Sequence, residues 1–294
     1  MNIDYYFSVA DHCFLVSVPD SINIDKALPT FKSFKCEQQD HLLFKFICSD
    51  EVIATAINLD EKLLICDFDG GIAQLFKNEI SYYCTLQYEK ESAIHYLRFN
   101  ELYNENYAKI DWTDCYASFI LNSMIRIVYA QACIYKETIS LHSSSVVLNG
   151  KAYLFLGKSG TGKSTHSDMW IQAFGNSVKI LNDDNPIIRI HSSGAIAYGS
   201  PWSGKRDYYN NEGYPIGAIV RLVRSGCNRF HDLYGVEAFT AIYPSCSVMR
   251  TDKQQNEELH KLLIRLINVS EIGIMECLPN IDAALTCYKS INNK

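Results

Sequence analysis

The residues best suited to chemistry form one glycine-rich segment in the second half of the chain. This segment, residues 157–164, reads Gly-Lys-Ser-Gly-Thr-Gly-Lys-Ser and matches the pattern G-x-x-x-x-G-K-[S/T] in full. Its three glycines allow consecutive backbone N–H groups to turn toward an anion without Cβ clashes. Lys163 can then reach terminal phosphates, and the Ser164 hydroxyl can bind Mg²⁺. These residues predict a binding site for the phosphates of a nucleoside triphosphate.

The elements expected around the glycine-rich segment are those that phosphate binding requires. Residues 145–148 and 151–156 predict two strands, joined by a two-residue turn at Asn149-Gly150. A helix is expected from Lys163 to Phe174 and is ended by Gly175-Asn176. The positive end of that helix would face a bound anion. The segment is therefore expected between a strand and a helix.

Two adjacent carboxylates follow the next predicted strand, residues 178–181. They are Asp183 and Asp184 in the run Asn-Asp-Asp-Asn-Pro. Taken alone, such a run is typical of a turn. After a phosphate-binding segment, however, one carboxylate can hold Mg²⁺ and the other can accept a proton from an attacking hydroxyl. We therefore expect this acidic pair to be functional.

The order of these features resembles the catalytic domain of HPr kinase/phosphorylase. The order is His142, strand, glycine-rich segment, helix, strand and the acidic pair. Residues 159–165 are also similar to the nucleotide loop of ATP-dependent phosphoenolpyruvate carboxykinase. Short HPr-kinase-like proteins of bacteria share a Ser-Pro-Trp-Ser-Gly segment, here residues 200–204, and a tail resembling residues 276–291. The resemblance covers about residues 140–290 and implies a mixed β-sheet core flanked by helices.

The resemblance implies roles for individual residues. Lys163 would bind the β- and γ-phosphates, Asp183 would be the base, and His142 would lie close to the reacting groups. Mg²⁺ would be held by Ser164 and Asp184, with Asp183 as a further ligand. The nucleotide, ATP or GTP, would contact Gly157, Ser159, Gly160, Thr161, Gly162, Lys163, Ser164, Thr165, Lys205 and Arg206.

Two of these assignments have an alternative interpretation. A lone histidine such as His142 is more often a surface or core residue. Residues 199–206, which end in Lys205 and Arg206, would cover the nucleotide or add positive charge at the transferring phosphoryl group. The alternative is a tight surface turn with solvated cations.

The sequence departs from the HPr kinases in places that bear on the substrate. Residues 212–215, Glu-Gly-Tyr-Pro, stand where those enzymes carry an Arg-Gly signature. The first half of the chain matches no run of their N-terminal domain. HPr itself and reverse phosphorolysis are therefore not implied.

Three functions are consistent with these features. The first is a Mg²⁺-ATP-dependent kinase of a hydroxyl, in a small protein, a peptide or a small molecule. The second is a nucleotide-binding or sensing module without transfer chemistry. The third is a carboxykinase-like lyase, which is disfavoured because the chain has no motif for a carboxykinase substrate domain.

We predict a mixed α+β protein of the α/β type with three parts. Residues 1–110 carry short runs rich in β-branched and aromatic residues, at 5–9, 13–18, 42–48, 62–68, 81–88 and 93–99, and predict a β-rich domain with a small antiparallel sheet. Residues 111–139 predict a long, buried connecting helix. Residues 140–294 predict the nucleotide-binding domain, with further helices over 256–268 and 280–291.

Composition and charge exclude several classes of protein. The net charge is −6, which disfavours a nucleic-acid partner, and residues 141–294 hold 16 basic and 13 acidic residues, so the half with the glycine-rich segment is the one suited to polyanions. Eleven cysteines occur without a Cys-x-x-Cys pair, as expected for buried thiols in a reducing cytosol. The most apolar stretch, 118–135, is too polar for a membrane span. We expect a cytoplasmic protein with no membrane partner, able to form homo-oligomers as HPr kinases do.

Overall fold

The computed structural model describes residues 1–49, 62–68, 71–77, 81–204 and 206–293. The chain divides into two compact units, Met1–Cys133 and Ile134–Lys294. The helix predicted to connect two domains over residues 111–139 lies in the first unit as α2, Ala117–Ala132. The second unit therefore begins only a few residues before its first strand.

The first unit contains an eight-stranded sheet with the strand order β1-β2-β3-β8-β7-β6-β5-β4. Its strands are β1 (Asn2–Val9), β2 (His12–Pro19), β3 (Lys45–Cys48), β4 (Lys62–Phe68), β5 (Gly71–Lys77), β6 (Tyr82–Gln87), β7 (His95–Phe99) and β8 (Glu105–Lys109). Among its described residues, Ile24–Ala27 form the single turn α1, which Asn23 caps by accepting from the Lys26 N–H.

The predicted small antiparallel sheet is wrong in size and in two of its pairings. β3 pairs in parallel with both β2 and β8. Two strands, β5 and β8, were not predicted from the sequence. β8 reads Glu-Asn-Tyr-Ala-Lys and has no apolar alternation, since one of its inward positions is Asn106, whose amide N–H groups donate to the carbonyls of Lys45 and Tyr103.

Helix α2 belongs to the core of the first unit. Its Tyr129 is buried, packs edge-on against Phe14 and Phe44, and donates from its hydroxyl to the Val9 carbonyl over 2.9 Å. Among the described residues, residues 117–136 form the one helical stretch long and apolar enough to cross a membrane, and 72% of its 18 most apolar consecutive residues are buried inside the protein. Such burial is typical of a core helix in a soluble protein.

The second unit is built from nine strands and four helices in the described range. Its strands are β9 (Thr138–Ser140), β10 (Ser143–Leu148), β11 (Lys151–Leu156), β12 (Val178–Asn182), β13 (Ile187–His191), β14 (Gly194–Tyr198), β15 (Gly213–Arg224), β16 (Arg229–Asp232) and β17 (Ile272–Cys277). Its helices are α3 (Lys163–Phe174), α4 (Gly235–Ile242), α5 (Lys253–Val269) and α6 (Ile281–Asn292). Each unit contains helices and one sheet, so the predicted mixed α+β fold is confirmed.

Strand β15 organises the sheet of the second unit. The strand order is β12-β10-β11-β15-β14-β13-β9, and β17 also pairs with β15, while β16 pairs with β17. The start of β15 pairs antiparallel with β14, whereas its remainder runs parallel to both β11 and β17. The carboxyl ends of β11, β15 and β17 consequently meet at one edge of the sheet.

Strand β11 is buried on both faces and separates two apolar layers. Leu154 and Leu156 pack toward the layer that includes α4 and α5, whereas Tyr153 and Phe155 pack toward the layer that includes α3 and α6. Because side chains alternate along a strand, a run that is apolar throughout fits between two layers of helices. This explains the unbroken apolar run of residues 152–156.

The local predictions for the second unit are confirmed closely. Helix α3 spans the predicted residues, Lys163–Phe174, and the hairpin of β10 and β11 turns at Asn149 and Gly150, which have φ of +53° and +74°. Helix α6 begins after Asn280, whose side chain accepts from the Ala283 N–H. Each of these signals is local in the sequence.

Replacement of Trp170 by alanine should destabilise the second unit. Trp170 on α3 is fully buried and packs against Tyr153, Phe155, Phe174 and Tyr288. A Trp170→Ala cavity is expected to lower the free energy of unfolding by about 3–5 kcal/mol, measured by denaturant titration. The exposed Val236→Ala control should change it by less than about 0.5 kcal/mol. An equal, small effect of both variants would contradict this packing.

Candidate functional site

The glycine loop, residues 157–162, connects the carboxyl end of β11 to the start of α3. Gly160 and Gly162 have φ of +75° and +112°, which other residues rarely adopt, and Gly162 is the N-cap of the helix. A Cβ at Gly157 would lie 3.0 Å from the Cβ of Thr161. The three glycines thus serve two different needs: backbone conformation at two positions and close approach at the third.

The backbone of the glycine loop presents N–H groups at the helix start. The Thr161 N–H donates to the Lys158 carbonyl over 3.0 Å, and the His166 N–H is the first to donate back into the helix, to the Gly162 carbonyl. By helix geometry, the N–H groups of residues 163–165 have no intrahelical acceptor. Together with the helix dipole they form a site suited to an anion.

Lys163 holds a buried positive charge beneath the glycine loop. The residue is 9% exposed, and its Nζ donates to the Gly157 carbonyl over 3.2 Å and lies 3.0 Å from Nε2 of His142. Burial lowers the pKa of Lys163, while the nearby carboxylates of Asp184 and Asp183 raise it. The net effect is a lowered pKa of Lys163, which the two carboxylates oppose without cancelling.

His142 connects Lys163 to the acidic pair. The residue lies between β9 and β10, where its N–H donates to the Ser245 carbonyl over 2.7 Å. Its Nδ1 lies 3.0 Å from Oδ1 of Asp184. Because a charged lysine can only donate, Nε2 of His142 accepts the hydrogen bond from Lys163, and the N–H at Nδ1 donates a hydrogen bond to Asp184. These two hydrogen bonds fix one tautomer of the His142 ring.

Asp183 is the more buried member of the acidic pair, with its side chain 3% exposed. One carboxylate oxygen accepts from the Ser144 hydroxyl over 2.9 Å, and the other accepts from the Ser164 hydroxyl over 3.3 Å. Nε of Arg206 lies 3.7 Å away. The structure thus brings together Lys163, Ser164, Asp183, Asp184 and His142 from three separate stretches of the chain.

Asn182 positions the acidic pair and was missed by the sequence analysis. Its fully buried side chain accepts from the N–H groups of Asp184 and Asn185 over 2.9 and 2.8 Å. Its amide nitrogen lies within 3.3 Å of the carbonyl oxygens of Ser200 and Trp202. One amide side chain therefore sets the turn after β12 and ties it to residues 200–204.

Residues 200–204 are packed against the acidic pair rather than forming a solvated turn. Pro201 and Trp202 are buried, and the Ser200 hydroxyl donates to the Asn185 carbonyl over 2.7 Å. A Cβ at Gly204 would lie 3.4 Å from the Cβ of Asp184. Residue 204 therefore lies within van der Waals range of Asp184.

Of the two cations that follow this segment, Lys205 lies outside the described residues. Arg206 makes a bidentate contact with Asp168 of α3, at 2.8 and 2.6 Å, and its pKa is raised by that hydrogen bonding. Asp168 was not predicted as a site residue, and its only sequence signal is its place one turn after Ser164. The pair holds a guanidinium beside Asp183.

Ser144, Ser167 and two arginines also belong to the surroundings of the site and were missed. The Ser144 hydroxyl lies 2.6 Å from the Ser167 hydroxyl. At the end of β15, Arg221 donates to the Ala241 carbonyl and to Ser245, and Arg224 donates to the carbonyls of Gly160 and Thr161 in the glycine loop. Only the parallel pairing of β11 with β15 brings these arginines to the loop.

The donor set fits Mg²⁺ held by few protein ligands. Ser164 and Asp183 offer hard oxygen donors 3.3 Å apart beside the helix start. Within the described residues, no group of three or more His, Cys, Asp or Glu side chains is arranged to hold a metal ion. Mg²⁺ commonly binds through one or two protein oxygens and completes its shell with phosphates and water. The residues present fit that mode of binding.

Residues 212–215 lie at the start of β15 and make local contacts. Glu212 pairs with Lys179 over 2.5 Å and accepts from the Tyr214 hydroxyl over 2.7 Å, and these contacts lower the pKa of Glu212. Where the resemblance places an Arg-Gly signature, this chain therefore has an ion pair between Lys179 of β12 and Glu212, the residue before β15.

These features define a two-unit mixed α+β protein whose second unit carries a glycine loop, a buried lysine and an acidic pair at one edge of its sheet. No protein-family profile matches the chain, and no curated protein matches it. Among solved structures, the chain is similar to the Hpr(Ser) kinase/phosphatase from Coxiella burnetii, with 10% identity and a TM-score of 0.32, over 52% of this chain and 88% of that one. A TM-score and identity this low define neither a shared fold nor a shared function.

Replacement of Asn182 by alanine should disorganise the acidic pair. The variant removes the acceptor of two backbone N–H groups and the donor to residues 200–204 in a fully buried place. We expect the free energy of unfolding to fall by about 3 kcal/mol, measured by denaturant titration. Asn268→Ala, which removes an exposed amide on α5, serves as control and should change it by less than about 0.5 kcal/mol. Equal stability of the two variants would refute the role given to Asn182.

Proposed function

We propose that the second unit binds a nucleoside triphosphate with Mg²⁺ at the glycine loop and transfers its γ-phosphoryl group to a hydroxyl. The proposal is carried by the arrangement of Lys163, Ser164 and Asp183 at the start of α3. Lys163 donates to the loop carbonyl of Gly157 over 3.2 Å, and the Ser164 hydroxyl donates to Asp183 over 3.3 Å. The acceptor would be a serine of a small protein or peptide, or a small molecule.

Phosphate binding is supported by the loop backbone and the charges around it. The N–H groups at the helix start would donate to the phosphates. Lys163 is already buried, so binding would add little further cost of removing its charge from water. Arg206 lies on the side of Asp183 and would face the transferring group. Fixed positive groups of this kind stabilise the charge of the transition state.

Ser164 and Asp183 would hold Mg²⁺ in this proposal, with Asp184 beside them. When bound, the ion neutralises phosphate charge and orients the γ-phosphoryl group for in-line attack. The two carboxylates differ in their surroundings, because Asp183 faces Ser164 whereas Asp184 faces His142. Asp183 is therefore the carboxylate beside Ser164, and Asp184 is the carboxylate beside His142.

In the proposed transfer step, Asp183 is the proton acceptor. The acceptor oxygen forms a bond to the γ-phosphorus as its proton passes to the Asp183 carboxylate. The bond between the γ-phosphorus and the β–γ bridging oxygen breaks, and the electron pair leaves with the nucleoside diphosphate. His142, held in one tautomer between Lys163 and Asp184, keeps these charged groups at fixed distances.

Replacement of Asp183 by asparagine should abolish transfer and spare nucleotide binding. The amide keeps the size of the carboxylate but cannot accept the proton, so the transfer rate should fall by about a hundredfold to ten-thousandfold. Labelled-phosphate transfer to a panel of hydroxyl acceptors measures the rate, and titration with ATP measures binding. Asp282→Asn, an exposed carboxylate on α6, is the control. Undiminished transfer by Asp183→Asn would exclude Asp183 as the base.

A nucleotide-sensing module is the second candidate, and the burial of Asp183 favours it. A carboxylate that is 3% exposed and already accepts from two serine hydroxyls has no free access to an acceptor hydroxyl in this conformation. Tight Mg²⁺-ATP binding without transfer or hydrolysis across the acceptor panel would select the module. The carboxykinase-like lyase gains no supporting observation from the described residues.

A further inference from the structure

A cavity of about 400 Å³ adjoins the glycine loop on the β15 side. One wall comes from the loop and the first turns of α3, with Thr161, Thr165 and His166. The other comes from the carboxyl ends of β15 and β17, with Leu222, Arg224 and Leu278. Its volume lies in the range of small-molecule sites, and the edge formed by the carboxyl ends of parallel strands is where ligands of α/β sheets bind.

The cavity and the acidic pair lie on opposite sides of the glycine loop. The strand order is β12-β10-β11-β15, with β17 beyond. The acidic pair follows β12, whereas the cavity lies at the ends of β15 and β17. The loop follows β11, between them. A ligand with phosphates on the loop and its terminal phosphate at Asp183 therefore directs its other end toward this cavity.

The lining of the cavity combines apolar walls with few polar groups. Leu222, Cys277, Leu278 and Pro279 offer apolar surface for the faces of a flat ring. Arg224 reaches the same cavity and already contacts the loop carbonyls of Gly160 and Thr161. It can meet the sugar or the first phosphate of a ligand that leaves the cavity along the loop.

His166 lines the cavity, and the tautomer of its ring is fixed by a neighbouring side chain. Nε1 of Trp170 donates to Nε2 of His166 over 3.1 Å, so the ring proton must be on Nδ1. Burial lowers the pKa of His166 to about 4, so the ring is neutral at ordinary pH. A neutral ring with Nδ1–H can donate to a ring nitrogen or carbonyl oxygen of a nucleobase without placing a buried charge against it.

We propose that this cavity binds the nucleoside end of the triphosphate, with the base between the apolar walls and near His166. The inference rests on the proposed function, because it takes the loop to hold the phosphates. The acceptor is a poorer occupant. Its hydroxyl must reach the γ-phosphorus beside Asp183, which lies on the other side of the loop.

The experiment compares Mg²⁺-ATP with Mg²⁺-triphosphate, which carries the phosphates without a nucleoside. Leu278→Trp fills the cavity from its lining, and Ile281→Trp places the same side chain at a similarly exposed site outside it. Calorimetry on the full chain measures the affinity of each ligand for the unchanged protein and for each of the two variants. In the unchanged protein, ATP should bind at least tenfold more tightly than triphosphate.

Filling the cavity should remove only the nucleoside contribution. For Leu278→Trp we expect ATP affinity to fall at least tenfold, toward that of triphosphate, while triphosphate affinity stays within twofold. Ile281→Trp should leave both affinities unchanged. Retained triphosphate binding by Leu278→Trp also shows that the loop is folded in that variant.

Two other outcomes separate the failure of this inference from that of the proposed function. If triphosphate and ATP bind the unchanged protein equally, or if Leu278→Trp leaves ATP affinity intact, the cavity does not bind the nucleoside, and the phosphate site stands. If neither ligand binds the unchanged protein, the phosphate site itself is refuted, and the inference falls with it.

Discussion

The parallel pairing of β15 with β11 and β17 is the constraint on which the site depends. It brings three carboxyl ends to one edge of the sheet, so that the glycine loop, the arginines of β15 and the cavity share one neighbourhood. An antiparallel β15 would have placed its carboxyl end, and with it Arg224, at the opposite edge. The apolar layers on both faces of β11 hold this arrangement, since they bury its alternate side chains in opposite directions.

Charges at the site are organised through buried contacts. His142 contacts Lys163 on one side and Asp184 on the other. Asp183 accepts from two serine hydroxyls, and Arg206 donates to Asp168. Each charged group thus has a partner before any ligand is bound. Because the partners are fixed by packing, little reorganisation would be needed when a polyanion arrives.

Sequence reasoning succeeded where the signal was local. The bounds of α3, the Asn149-Gly150 turn and the Asn280 cap each follow from a few adjacent residues. It failed where pairing joined distant stretches: the parallel neighbours of β3 and the polar strand β8 had no local signature. In the site, the motif residues were named, but Asn182, Ser144 and Arg224 were not, because their roles arise from contacts across strands. Asn182 in particular looks like an ordinary turn residue in the sequence.

The contact between Arg224 and the glycine loop has a consequence for how fast a ligand can associate. A trans peptide directs its N–H opposite to its C=O, so carbonyls of Gly160 and Thr161 that face Arg224 turn the following N–H groups away from it. Hydrogen bonds from another strand therefore favour this shape of the loop. Encounter with an anion need not wait for a rare loop conformer, and its rate would be set by diffusion and charge rather than by folding of the loop.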